Sequence, residues 1–163
     1  MTREESKDFV PDDFAVPREL VTDEFRLEPL GPQHNAADYE AWTSSIDHIR
    51  ATPGFRNLDT GPEFDGGAWP DPGMALEGNL ADMRRHAEDF ANRTGFTYTV
   101  LAGDDDRVVG CVYIYPADSA GVADVRSWVR ADRADLDVPL HDAVAFWLTD
   151  AWPFEAVSYA QRP

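Results

Sequence analysis

The chain has 163 residues and an apolar fraction of 43%, enough for one globular domain with its own hydrophobic core. Its formal net charge of -17 repels nucleic-acid phosphates and anionic membranes, which argues against both as partners and favours a cationic substrate or partner. Lys7 is the only lysine and Asp outnumbers Glu, a salt-adapted composition in which most of the acid serves a solvated surface.

Residues 1–18 are polar and broken by Pro11 and Pro17, and read as a flexible acidic arm ahead of a single domain over 19–163. The opening MTREESKDFVPDDF has no signal-peptide core, and no apolar run is long enough to span a bilayer, so a soluble cytoplasmic protein is expected. Alternation at Phe25, Leu27 and Leu30 predicts a strand over 19–30. Tyr39, Trp42, Ile46 and Ile49 then recur at steps of three and four, one apolar stripe of a helix.

The segment 51–75 is dense in Gly, Pro and Asp and reads as a long loop, a lid or pocket wall. Phe55 and Trp69 are its candidate pocket-lining residues. A second helix follows with its stripe at Leu76, Leu80, Met83, Ala87 and Phe90, and Gly95 as its stop. FTYTVLAG, RVVGCVYIYP and VADVRSWVRA are three strands joined by short turns, an antiparallel meander. Cys111, the only cysteine, lies inside the middle strand; it can form no intrachain disulfide and reads as a small buried hydrophobe. A helix over 140–151 and a strand over 154–161 complete a crossover, which makes the last strand pair parallel.

This order of elements, with FRLEPLGPQHNAADYEAW, WPDPGMALEGNLADM, RVVGCVYIYP around Gly110 and ADVRSWVRADRADLD around Trp128, resembles the GNAT acyltransferase superfamily. It is nearest the branch that acetylates ribosomal-protein N-termini. The resemblance covers roughly residues 17–161 and implies an α/β fold: a mixed, largely antiparallel sheet with helices on both faces. The family continues with a further helix and two strands that often carry a tyrosine protonating the leaving thiolate. Here the fold is expected to stop after the fifth strand, Tyr159 does not match that tyrosine, and the exposed sheet edge would suit a homodimer.

The resemblance also implies transfer of an acetyl group from acetyl-CoA to a small-molecule or peptide amine, with no metal. Cofactor contacts would come from Val125, Trp128 and Val129 on the fourth strand and from Arg133, Ala134, Leu136 and Val138 around the following turn, mostly through backbone. The family's turn is Arg/Gln-x-x-Gly-x-Gly/Ala, because glycines let backbone N–H groups reach the pyrophosphate at a helix N-terminus. This chain has Asp132, Arg133, Ala134, Asp135, Leu136 and Asp137 there. A carboxylate about 5 Å from a phosphate costs about 1 kcal/mol in water and about 3 kcal/mol at an intermediate dielectric, so Asp135 and Asp137 would weaken acetyl-CoA. Asp137 also stands where an N-cap belongs, ahead of Pro139.

Asp124, where this branch often carries Glu, is the candidate base for the amine proton; a solvated surface role is the alternative. Asp82 and His86 are spaced i,i+4, but no third metal ligand is identifiable, and His34, His48 and His141 are scattered. Trp147 and Trp152 read as core. Two functions follow: an acyl-CoA-dependent N-acyltransferase with an altered phosphate turn, or a non-catalytic GNAT-like domain used for binding or assembly.

Overall fold

A computed structural model describes residues 8–55 and 70–162. Strand β1 (Leu20–Val21) pairs antiparallel with β2 (Phe25–Pro29), Leu20 opposite Leu27. The single strand expected over 19–30 is therefore a small hairpin. Thr22 makes it, because its hydroxyl accepts the N–H groups of Glu24 and Phe25, both at 3.1 Å.

Helices α1 (Asn35–Thr43) and α2 (Ile46–Ala51) carry the expected stripe, with Trp42 and Ile49 fully buried. They are two helices instead of one. At the break, Ser44 bonds back to the Ala41 carbonyl at 3.0 Å, and the Ser45 hydroxyl accepts the N–H of Ala131 at 2.9 Å. Serine side chains compete with helical hydrogen bonds in this way. Helix α3 (Leu76–Asn92) buries Met83 and Phe90. It ends at Arg93 in the left-handed conformation (φ 64°), ahead of the expected stop at Gly95. Gly95 is needed for space instead, since a Cβ there would lie 2.2 Å from the Tyr115 ring.

The meander is β3 (Phe96–Ala102), β4 (Val108–Pro116) and β5 (Val122–Val129); helix α4 (Asp137–Ala151) then leads to β6 (Ala156–Tyr159). The six strands lie in sequence order, all neighbours antiparallel except the parallel pair β5–β6. The expected architecture is present, with the extra strand arising from the β1–β2 hairpin. Helices cover both faces: α4 packs with Leu27, Val112, Ile114 and Val125 in one core, and α1, α2 and α3 enclose Cys111, Tyr113 and Trp128 in the other.

Residues 8–18 are not a loose arm. Val10 is buried, Phe9 stacks on Phe96 and Phe154, and Phe14 packs against Trp152. The Arg93 guanidinium donates to the carbonyls of Pro11 and Phe14, and the Tyr98 hydroxyl donates to that of Pro17. Aromatic residues inside a polar-looking stretch hold it to the core.

Strand β4 carries a bulge. Val100 faces Gly110 and Leu101 faces Val108, which leaves Val109 as the extra residue. Val109 consequently enters the α4-side core while Val108 enters the other. A Cβ on Gly110 would lie 2.3 Å from the Trp128 carbonyl oxygen on β5. Gly110→Ala is expected to destabilise by about 2 kcal/mol by forcing the β4–β5 ladder apart, read as a lower urea midpoint at unchanged m.

Candidate functional site

The parallel strands β5 and β6 are in register only from Val122 opposite Ala156 to Val125 opposite Tyr159. Beyond Val125, β5 runs on while β6 ends, so the two strands part as a fork. On its other side β5 remains paired with β4 as far as Val129 opposite Gly110. Residues 126–129 therefore have no strand partner on the β6 side, although all four are buried (Arg126 7% exposed, Ser127, Trp128 and Val129 0%), and the turn into α4 follows directly.

That turn, Ala131–Leu136, is two short 3-10 turns joined by a kink at Arg133 (φ -130°, ψ 39°), and it runs into α4. Three N–H groups in and beside it have partners: Arg133 donates to the Arg130 carbonyl, Asp137 to that of Ala134, and Ala131 to the Ser45 hydroxyl. The aspartates each meet an arginine. Asp132 lies between Arg130 (3.0 Å) and Arg107 (3.5 Å), and Asp135 pairs with Arg133 at 3.2 Å while standing well out in solvent. Arg130 also binds Glu40 through both nitrogens, at 2.5 and 3.1 Å, and holds the Glu40 and Asp132 carboxyls below the usual carboxylate range.

Asp137 is not the N-cap. Leu136 occupies that position with no side-chain capping bond, and Asp137 is the first residue of α4. Its carboxylate is turned to Arg162, accepting from Nε at 2.9 Å and Nη2 at 3.3 Å. Arg162 lies beyond β6 and its side chain is only 2% exposed. Nη2 also donates to the Ser127 carbonyl at 2.8 Å and its hydroxyl at 3.2 Å, and Nη1 donates to the carbonyls of Ala160 at 3.0 Å and Pro53 at 3.3 Å. Ser127 is on the open edge of β5, so this guanidinium sits in the fork. The Tyr159 hydroxyl, 2.6 Å from the Ser127 hydroxyl, closes the inner end.

Solved structures with the same arrangement of elements are acetyltransferases. The ribosomal-protein-S5-alanine acetyltransferase of Vibrio fischeri superposes with a TM-score of 0.58 at 11% identity, over 82% of this chain and 68% of that one. The microcin C7 self-immunity acetyltransferase MccE, solved with acetyl-CoA and AMP, gives 0.61 at 14%, over 83% and 67%. FdhC, a nucleotide-linked-sugar GNAT, gives 0.60 at 11%, over 88% and 72%. The chain has the GNAT acetyltransferase fold. No family model and no curated protein sequence matches it.

Within this GNAT fold, the residues expected to touch acetyl-CoA divide into three groups. Val125, Val129 and Leu136 are core side chains, and Trp128 is fully buried with its indole N–H donating to the Tyr113 hydroxyl at 2.9 Å. Arg133 is engaged by Asp135, while Ala134 and Val138 are exposed around the turn. Only the backbone edge of 126–129 faces the fork, and Arg162 already bonds it at Ser127. As arranged, the Arg162 guanidinium holds the Ser127 carbonyl, one of the backbone groups a pantetheine arm on β5 would pair with.

Asp124 lies at the closed end of the fork, opposite Ser158 and Tyr115. Its carboxylate accepts from Arg126 Nε at 3.4 Å and Nη2 at 3.2 Å. Phe55 is 1% exposed and packs edge-on against Tyr113 in the core on the α1–α3 face. Trp69 lies outside the described residues. His86 is a core residue, with the Tyr115 hydroxyl and the Thr97 hydroxyl at 2.9 and 3.0 Å from Nδ1. Among the described residues no group of three or more His, Cys, Asp or Glu could hold a metal, and no helix is long and apolar enough to cross a membrane. An open cavity of about 440 Å³ adjoins the turn, lined by Ser44, Ser45, Asp47, His48, Arg50 and Ala131 among others.

Proposed function

We propose that the chain is a GNAT-type N-acyltransferase, transferring an acetyl group from acetyl-CoA to an amine, here in a closed state. The supporting observation is the fork: a parallel pair that separates beyond Val125 and leaves the edge of 126–129 running into the start of a helix. Asp124 is the proposed base. Its position on β5 supports that role, and its pairing with Arg126 means that an incoming ammonium competes for the same carboxylate. The acceptor class is a small-molecule or peptide amine, in keeping with a net charge of -17 that attracts cations. The outer edge of β6, the last strand of the sheet, is the proposed surface for a homodimer.

A second reading is a non-catalytic binding or assembly domain. The buried guanidinium in the fork favours it. Amine-dependent thiol release from acetyl-CoA separates the two, measured for the wild type and Arg162→Ala with a panel of diamines and short peptides. The enzyme reading expects Arg162→Ala to turn over at least about 10-fold faster than the wild type. Adding Asp124→Asn is expected to remove most of that gain. No release by either protein, in low or high salt, sets the enzyme aside in favour of the binding domain.

A further inference from the structure

The fork holds more acceptors than one ion pair requires. Asp137 offers both carboxylate oxygens, Ser127 its carbonyl and hydroxyl, and Pro53 and Ala160 their carbonyls. All three nitrogens of the Arg162 guanidinium are thereby satisfied, with its carbon 5.7 Å from the centre of the Tyr159 ring. This is the planar, multidentate pattern of a guanidinium site; an ammonium, with three donors at one point, cannot reach all of it.

Three of the four contributing residues are held by elements other than the segment that bears Arg162. Pro53 follows α2, Ser127 is locked in the β4–β5 ladder opposite Val112, and Asp137 opens α4. Ser127 is also held through its hydroxyl by Tyr159. Asp137 stands at the first position of α4, where the helix dipole favours an acidic side chain.

We propose that the β5–β6 fork is a guanidinium-binding site and that Arg162 is its internal ligand. The acceptors are fixed by three separate elements, so the site outlasts removal of the arginine side chain. A free guanidinium of matching size then fills it, while a methylammonium of equal charge does not.

The test is thermal melting of Arg162→Ala and wild type in methylguanidinium at about 20 mM, with methylammonium as the control. Arg162→Ala is expected to gain about 3 °C in methylguanidinium and nothing in methylammonium, and the wild type to gain nothing from either. Equal shifts with both cations, equal shifts in both proteins, or no shift in a folded Arg162→Ala would overturn the proposal. If that variant does not fold, the wild type itself supplies the answer. Hydrogen exchange at the Arg162 Nε–H is expected to be at least about 100-fold slower than at the exposed Arg84. Equal rates would overturn it. Neither readout involves acetyl-CoA, so the guanidinium site and the acyltransferase stand or fall separately.

Discussion

Asp137→Ala is expected to cost about 3–5 kcal/mol of stability, because it strands the Arg162 guanidinium inside the fork without its counter-charge. The Arg162 side chain is 2% exposed and that of Asp137 18%, so solvent screens this pair weakly. The size of the loss separates two roles for the same residue. An N-cap, the role expected for Asp137 from sequence, is worth about 1 kcal/mol. Only a buried counter-ion accounts for the larger figure. Changing both partners to apolar residues, Asp137→Leu with Arg162→Met, is expected to recover most of the loss, since no charge is then left unpaired. Urea unfolding at neutral pH measures all three proteins, and a cost near 1 kcal/mol for Asp137→Ala would remove the counter-ion role.

The second large effect is a pair of opposed pH dependences beneath α3. Asp38 is buried, accepts from Asn79 Nδ2 at 3.3 Å and faces the half-buried Asp82; burial pushes its carboxyl up from 3.8 to about 7. The folded state therefore keeps a proton that the unfolded chain has released. Stability from this group is complete below 3.8 and is lost as pH rises to about 7. His86 runs the other way. Burial, with the nearby Arg85 charge, lowers it from 6.5 to about 3, so its contribution is complete above 6.5 and is lost on acidification towards 3.

Each group acting alone gives a slope of about 1.4 kcal/mol per pH unit across its window. From about 4 to 6.5 the two windows overlap and their slopes cancel. Asp38→Asn leaves the His86 slope uncompensated, so this variant is expected to lose stability steadily as pH falls below 6.5. Relative to wild type it should gain most above about pH 7, where the native carboxylate is charged in a buried site. Urea midpoints of both proteins across this range check the sign, and parallel curves would contradict it.

The sheet was legible because its signals are local. Alternation and short turns mark the meander, and the strand–helix–strand spacing at the end makes β5–β6 parallel. Gly110 could be matched to a family position, but its cause, the carbonyl of Trp128 lying 2.3 Å from where a Cβ would go, belongs to the neighbouring strand. The breaks at Thr22 and Ser44–Ser45 were missed because a hydroxyl that turns the chain does not disturb the hydrophobic period that predicted a continuous element. Phe55 looked like a pocket residue inside a Gly- and Pro-rich stretch, although the stretch returns its ring to the core.

The candidate site was legible in place and not in content. From sequence, Asp135 and Asp137 read as repelling a phosphate, and nothing there points to the arginines that meet Asp132, Asp135 and Asp137. Arg107 and Arg162 come from other parts of the chain, at separations no spacing rule covers, while Arg130 and Arg133 stand two residues before the aspartates they pair with. Arg162 carries no signal of its own: it is one arginine after a short edge strand. The fork that makes it significant exists only when β5 outruns β6, and strand ends are weakly marked in sequence. The turn is consequently less hostile to anions than its composition implies, and the obstruction lies in the fork.

Calorimetric titration of acetyl-CoA into wild type and Arg162→Ala, in low and high salt, tests the closed fork most directly. The expected result is binding by Arg162→Ala at least about 10-fold tighter than by the wild type at both salt concentrations. Equal affinities in the two proteins, at either salt concentration, would contradict a fork closed by Arg162.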